Sequence, residues 1–172
     1  MDTNKLTQKT QEALQSAQND AVKRGHMEVD GEHLLMALLQ QDGGLVPRLL
    51  QKIDVPVDNL IAELRRELER RPSVSGPGTE AGKVYITQRL NRLLLAAEEE
   101  AKQLRDEYVS VEHLLLALAK EGSATAAGKL FKQFRLDRDR ILQALTAVRG
   151  NQRVTTPDPE STYEALEKYG RD

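Results

Sequence analysis

Two glycine-to-lysine stretches, two Glu-His pairs and one arginine run are the segments of this sequence whose residue types could do chemistry. Gly76-Pro77-Gly78-Thr79-Glu80-Ala81-Gly82-Lys83 and Gly122-Ser123-Ala124-Thr125-Ala126-Ala127-Gly128-Lys129 approach a phosphate-binding loop. In such a loop backbone amides cradle phosphate oxygens, a lysine reaches them and a hydroxyl holds magnesium. Each stretch puts five residues between its glycines where four are required, and Val84 or Leu130 stands where the hydroxyl belongs, so neither is expected to bind nucleotide. Glu32-His33 and Glu112-His113 could begin a metal site, but no second histidine follows one turn later, and His26 is the one other imidazole. Each imidazole is expected instead to bond a backbone group near a helix entrance. A hydrolase serine lacks its Gly-x-Ser-x-Gly elbow, and no cysteine exists to act as nucleophile or zinc ligand. Arg65, Arg66, Arg70 and Arg71 interleave with Glu63, Glu67 and Glu69, which makes a salt-laced solvated face out of a possible nucleic-acid stripe. Short helices joined by tight turns also suit a helix-turn-helix reader, but a formal net charge of -2 and a pI near 6.0 lack the positive field such a reader needs. No catalytic, cofactor-binding or metal residues are therefore expected, and a binding role is what remains.

The elements that must carry that role come in duplicate. Shifting the chain by 80 positions lays Thr7-Gln8 on Thr87-Gln88, Leu14 on Leu94 and Val29 on Val109. The same shift lays Glu32-His33-Leu34-Leu35 on Glu112-His113-Leu114-Leu115. One inserted residue later Leu50 meets Phe131, Leu60 meets Ile141 and Leu64 meets Leu145. Within each half the apolar spacing is helical, and turn signals divide it into four helices. The first is predicted over 7–24, capped by Thr7, with Ala13, Leu14, Ala17 and Ala21 on one face and Gly25 as its stop. The second opens at Asp30, or at Ser110 in the other half, and turns Leu34, Leu35 and Leu38 inward. A short third helix covers 46–53, and a fourth covers 57–70 behind Pro56 with Leu60, Ile61, Leu64 and Leu68 as its stripe. The second half starts at Thr87 and ends in helices over 129–134 and 138–148. A unit of this size buries too little surface to be stable alone, so the two four-helix halves are expected to close into one pseudo-twofold, all-α bundle.

Composition shifts mark the boundaries. Repeat one is assigned to 1–71, a Gly/Pro/Ser-rich connector to 72–84 and repeat two to 85–148, making one domain of 1–148. Polar residues 149–159, with Pro157 and Pro159, are predicted to be a linker. Residues 160–172 resume helical character, with Tyr163, Leu166 and Tyr169 on one side, and are expected to lead into a further segment. No apolar run approaches the ~20 residues of a membrane span, and Met1-Asp2-Thr3-Asn4-Lys5 lacks the apolar core of a secretory signal. With no cysteine, a cytoplasmic address is the expectation.

Leu6-Thr7, Glu32-His33-Leu34-Leu35-Met36-Ala37-Leu38-Leu39 and Tyr108-Val109-Ser110-Val111-Glu112-His113-Leu114-Leu115-Leu116-Ala117-Leu118 resemble the paired N-terminal repeat of the Clp ATPases, over about 5–148. Val148-Arg149-Gly150-Asn151-Gln152-Arg153-Val154-Thr155 and the run from Tyr163 to Asp172 resemble the passage into the first ATPase module of that family's disaggregase branch. The resemblance implies a double Clp repeat fronting a hexameric AAA+ disaggregase that works with the DnaK system and threads aggregated polypeptide through its pore. ATP, magnesium, a coiled coil and the hexamer contacts would belong to modules beyond residue 172, so the fragment is expected to be a monomer without enzymatic activity or cofactor. Its implied partners are unfolded or aggregated clients, with no nucleic acid and no membrane. Substrate contact is implied at Thr7, Asp106 and Glu112, with Leu94 as an apolar groove member. The same repeat also fronts related Clp ATPases, for which docking of a folded adaptor is the alternative role. A client without fixed sequence suits a shallow apolar groove, because apolar contacts are non-directional and tolerate many side chains.

Overall fold

The first two helix starts of each half are set by hydroxyl or carboxylate caps at matching positions. The structure is a computed structural model that describes residues 3–73, 84–150 and 152–160. The glycine stretch at 76–83, most of the 72–84 connector and the segment with Tyr163, Leu166 and Tyr169 lie outside the described residues. After a 3-10 turn at Thr3–Lys5, the first half comprises α1 (Gln8–Lys23), α2 (Gly31–Gln40), α3 (Leu45–Lys52) and α4 (Val57–Glu69). The second comprises α5 (Gln88–Gln103), α6 (Val111–Ala119), α7 (Ala126–Gln133) and α8 (Arg138–Arg149). Thr7 Oγ1 accepts from the Thr10 amide at the head of α1, and Thr87 Oγ1 accepts from the Leu90 amide at the head of α5. Both satisfy amides that the helix itself leaves without partners. Asp30 and Ser110 cap α2 and α6 through capping boxes in which the third residue is a histidine. Gly25 ends α1 in the left-handed region, at φ 71°, and Arg105 holds the equivalent position after α5 at φ 59°.

The main helix contacts are preserved when the halves are exchanged. Helix α3 packs on α8 as α7 packs on α4, α2 touches α5 and α7 as α6 touches α1 and α3, and α2 meets α6 across the middle. The all-α bundle is thus a pseudo-twofold body with α2 and α6 at its centre. Those two helices are apolar nearly all round, which is why Leu34, Leu35 and Leu38, and Leu114 to Leu118, are all buried. Two small parallel ladders, which helical periodicity does not reveal, tie the halves together. One pairs β1 (Glu28–Val29) with β2 (Tyr85–Ile86), and the other is the bridge of Leu6 with Val109. Of residues 149–159, predicted as a linker, Arg149 closes α8 and Val154 is fully buried. Among the described residues no helix is long and apolar enough to cross a membrane.

The second phosphate-loop imitation has a packing explanation. Gly122 adopts φ 78°, and a Cβ at Gly128, inside the first turn of α7, would overlap the carbonyl oxygen of Gly122. Glycine at 128 therefore serves close approach of two backbone segments. Gly128→Ala is expected to destabilise the fold by about 1–3 kcal/mol through overpacking, seen as a lower urea midpoint with an unchanged slope.

Candidate functional site

An apolar groove of about 240 Å³ lies between the pseudo-symmetric helices α1 and α5. The ladder residues Val29 and Ile86 contribute to it, as do Leu14 on α1 and Leu90 and Leu94 on α5. Gln11, Gln15 and Gln18 add polar but uncharged groups, and among the described residues no charged one lines it. Ile86 is 45% exposed, and Leu95, beside Leu94 on α5, is 56% exposed. Of these two, Ile86 lines the groove, and an exposed apolar side chain on the wall of an apolar groove marks a candidate contact surface. A larger cleft of about 730 Å³ beside α7 and α8 differs in character. It is rimmed by Lys132, Arg135 and Arg140, and the Arg140 guanidinium is already bonded to the carbonyls of Arg135 and Ile53.

The structure places Leu94 on the apolar groove and gathers Thr7, Asp106 and Glu112 elsewhere. The side chains of Asp106 and Glu112 have no exposure, and Thr7 is equally buried. Arg149 binds both carboxylates, reaching Glu112 Oε2 at 3.0 Å and Asp106 Oδ1 at 2.5 Å. The other oxygen of Asp106 lies 2.7 Å from His113 Nε2, and the Val154 amide donates to Asp106 Oδ1 at 2.9 Å. Burial alone would raise the Asp106 pKa, but bonds from His113, Arg149 and the Val154 amide hold it below the usual carboxylate range. Thr7 Oγ1 sits 2.8 Å from Glu160 Oε2 and 2.9 Å from Thr10 Oγ1. Residues 152–160 cover the cluster.

The other half holds a matching cluster with different chemistry. Glu32, the counterpart of Glu112, accepts from Arg89 through both oxygens at 2.7 Å, from Arg71, and from the Ala127 amide at 3.0 Å. Burial would raise its pKa, yet Arg89 and Arg71 outweigh burial and take it down to about 2. His33 and His113 each accept a backbone amide at Nδ1, from Asp30 and Ser110, as expected of imidazoles at helix entrances. His33 then meets His26 at 2.8 Å, where His113 meets Asp106. Arg89, Arg149, Val154 and Glu160 were not legible as site residues. Arginines and glutamates are common on solvated faces, and nothing in their local spacing sets these apart.

The family model for the Clp repeat (R) N-terminal domain matches residues 5–134. The chaperone proteins ClpB of Nitratidesulfovibrio vulgaris and Bacillus anthracis are each 51% identical over all 172 residues, and the chain spans about a fifth (20%) of their length. Among solved structures, the Hsp104 N-terminal domain from Candida albicans superposes with a TM-score of 0.76 at 21% identity, covering 90% of this chain and 98% of that one. The N-terminal domain of the ClpV1 ATPase from E. coli does so with 0.72 at 24% identity, covering 91% of each chain, and these two likenesses speak for the fold. The duplicated four-helix halves, the matched family model and the ClpB relatives agree, and the chain belongs to the Clp repeat (R) N-terminal domain family.

Proposed function

We propose that this chain is the substrate-recognition domain of an ATP-dependent protein disaggregase, and that it engages unfolded or aggregated polypeptides through the α1–α5 groove. The apolar groove, with Leu94 in its floor at 9% exposure, Ile86 on its wall at 45% and no charged side chain among its described lining residues, supports this most directly. A surface of that kind gains from any extended apolar segment and imposes little sequence preference. The ClpB relatives support the disaggregase setting. In that setting delivery to a hexameric pore, ATP and magnesium binding, cooperation with DnaK and a cytoplasmic address belong to the longer protein. Single engagements are weak, and several copies around a ring compensate by raising effective concentration.

The test is binding of a fluorescent, permanently unfolded protein such as reduced and carboxymethylated α-lactalbumin, followed by anisotropy. Leu94→Glu puts a charge into the groove and is expected to weaken binding about tenfold or more while helicity is kept, because burying an unpaired carboxylate is unfavourable. Binding by the parent is expected to change little with added salt, since the described residues that line the groove carry no charge. Equal affinity in parent and variant would remove the groove from the mechanism. Tight binding of a folded adaptor, with indifference to unfolded chains, would point to the adaptor-docking role.

A further inference from the structure

We infer that residues 152–160 form a docked strap and that the Thr7, Asp106 and Glu112 cluster is the receptor that holds it. Hydrogen bonds to its backbone, and one from the Arg153 side chain, fasten the segment. Val154 donates to Asp106, and its carbonyl accepts from the Glu107 amide at 2.7 Å. The carbonyl of Pro157 accepts at 2.8 Å from the amide of Gln8, the first residue of α1, which has no partner within its own helix. Arg149, held by Glu112 and Asp106, donates through Nε to the Gln152 carbonyl, and Arg153 reaches back to the Leu104 carbonyl. Val154, fully buried, is the apolar anchor, and Glu160 is the polar one.

The duplication shows that this landing site is specific to the second half. Thr87 donates to Asp30 Oδ1 at 2.9 Å, a carboxylate from its own partner half. The counterpart of Asp30 is Ser110, which has no carboxylate to offer Thr7, and Glu160 of the strap fills that place. The counterpart of Asp106 is His26, so the acceptor for the Val154 amide is likewise missing from the first half. The two halves have therefore diverged at the positions the strap uses, while their helix order and apolar core remain alike.

Proton arithmetic agrees with a carboxylic acid at 160. Thr10 gives its hydroxyl proton to the Val109 carbonyl, and Thr7 has one proton for two oxygens, Thr10 Oγ1 and Glu160 Oε2. A protonated Glu160 completes the set. Burial, with the nearby charges of Glu112 and Asp158, pushes its pKa up to about 8.

Amide hydrogen exchange, read by two-dimensional NMR on the 172-residue chain, tests the strap. The Gln8, Glu107 and Val154 amides report on it, and the Tyr85 and Thr87 amides, bonded to Met27 and Val29, report on the equivalent joint in the other half. In the parent all five are expected to be protected. Val154→Asp and Glu160→Ala are each expected to lower protection at Gln8 and Glu107 at least tenfold and leave Tyr85 and Thr87 unchanged, whereas Glu160→Gln, a neutral isostere, keeps protection. Rapid exchange at Gln8, Glu107 and Val154 in the parent would overturn the strap. So would a loss shared equally by both joints in the variants, or no loss in either variant.

Discussion

Replacing Glu32 by alanine is expected to lower the unfolding free energy by about 3–5 kcal/mol, the usual cost of stranding buried charge by deleting one partner of an ion pair. Glu32 belongs to α2 of the first half but binds Arg89 of α5 and the amide of Ala127 in α7, both in the second, as well as Arg71 just past α4. Its removal takes the buried carboxylate from two arginines, of which Arg71 retains a 3.7 Å contact with Asp30, and leaves an amide at the head of α7 without an acceptor. Arg89 keeps Glu121 and a 3.2 Å contact with Asp30, so the loss stops short of unfolding the domain. Glu100→Ala is the control. Glu100 is also buried, but its partners Arg138 and Lys120 are 30% and 46% exposed and can be rehydrated, so a smaller effect of about 1 kcal/mol is expected. Urea unfolding of the three proteins decides it. If Glu32→Ala falls within the range of Glu100→Ala, the clamp between the halves is not a major source of stability. The Glu32 pKa, about 2 in the fold and below its ordinary value, gives the pH direction. Its contribution is complete above the ordinary glutamate range and is lost as the pH falls towards 2.

Acid is expected to weaken the first half before the second. The Asp30 amide donates to His33 Nδ1 at 3.0 Å, so the His33 proton sits on Nε2 and points at His26 Nδ1, 2.8 Å away. An imidazolium at His33 would set one N–H against another at the head of α2. Burial, reinforced by Arg71, takes the His33 pKa to about 4, and burial with Arg71 and Arg24 lowers that of His26. A folded pKa below the unfolded value of 6.5 means the stabilisation is complete above 6.5 and is lost as the pH falls from 6.5 to 4. For His33 alone the loss amounts to about 3 kcal/mol. His26→Asp imports the arrangement of the second half, where Asp106 faces His113, and is expected to remove most of the decline. Glu160 works the other way over part of this window, since its raised pKa gives stability that is present below 4.5 and lost towards 8. The difference between parent and His26→Asp stability curves cancels that contribution. Parallel curves between pH 7 and 4.5 would show that the histidine pair does not set the acid limit.

Leu94 and Thr7 illustrate what could be read from each kind of signal. Leu94 falls on Leu14 in the 80-residue repeat, and a pair of pseudo-equivalent apolar residues on the outer helices is a fair sign of a shared surface; both line the groove. Thr7 reads as a helix cap, and it is one, but a threonine at a helix start looks the same whether its hydroxyl faces water, a client or the chain's own Glu160. Val154 sits among Gln152, Arg153, Thr155 and Thr156, a polar context that points to a linker, and its burial depends on a shelf made by Asp106 and Glu107.

The amino-acid sequence by itself determined the duplication, the eight helices of the described residues, the caps at Thr7, Asp30, Thr87 and Ser110 and the two apolar central helices. Those features rest on interactions within about four residues or on a periodicity that repeats along the chain. Only the tertiary structure decided which polar groups would share a site. Thr7 meets Glu160 across 153 positions, Asp106 meets Val154 across 48 and Glu32 meets Ala127 across 95. Such meetings depend on where the folded backbone returns. No local pattern encodes that return, because the same threonine, aspartate or glutamate would satisfy a cap or a solvated face equally well.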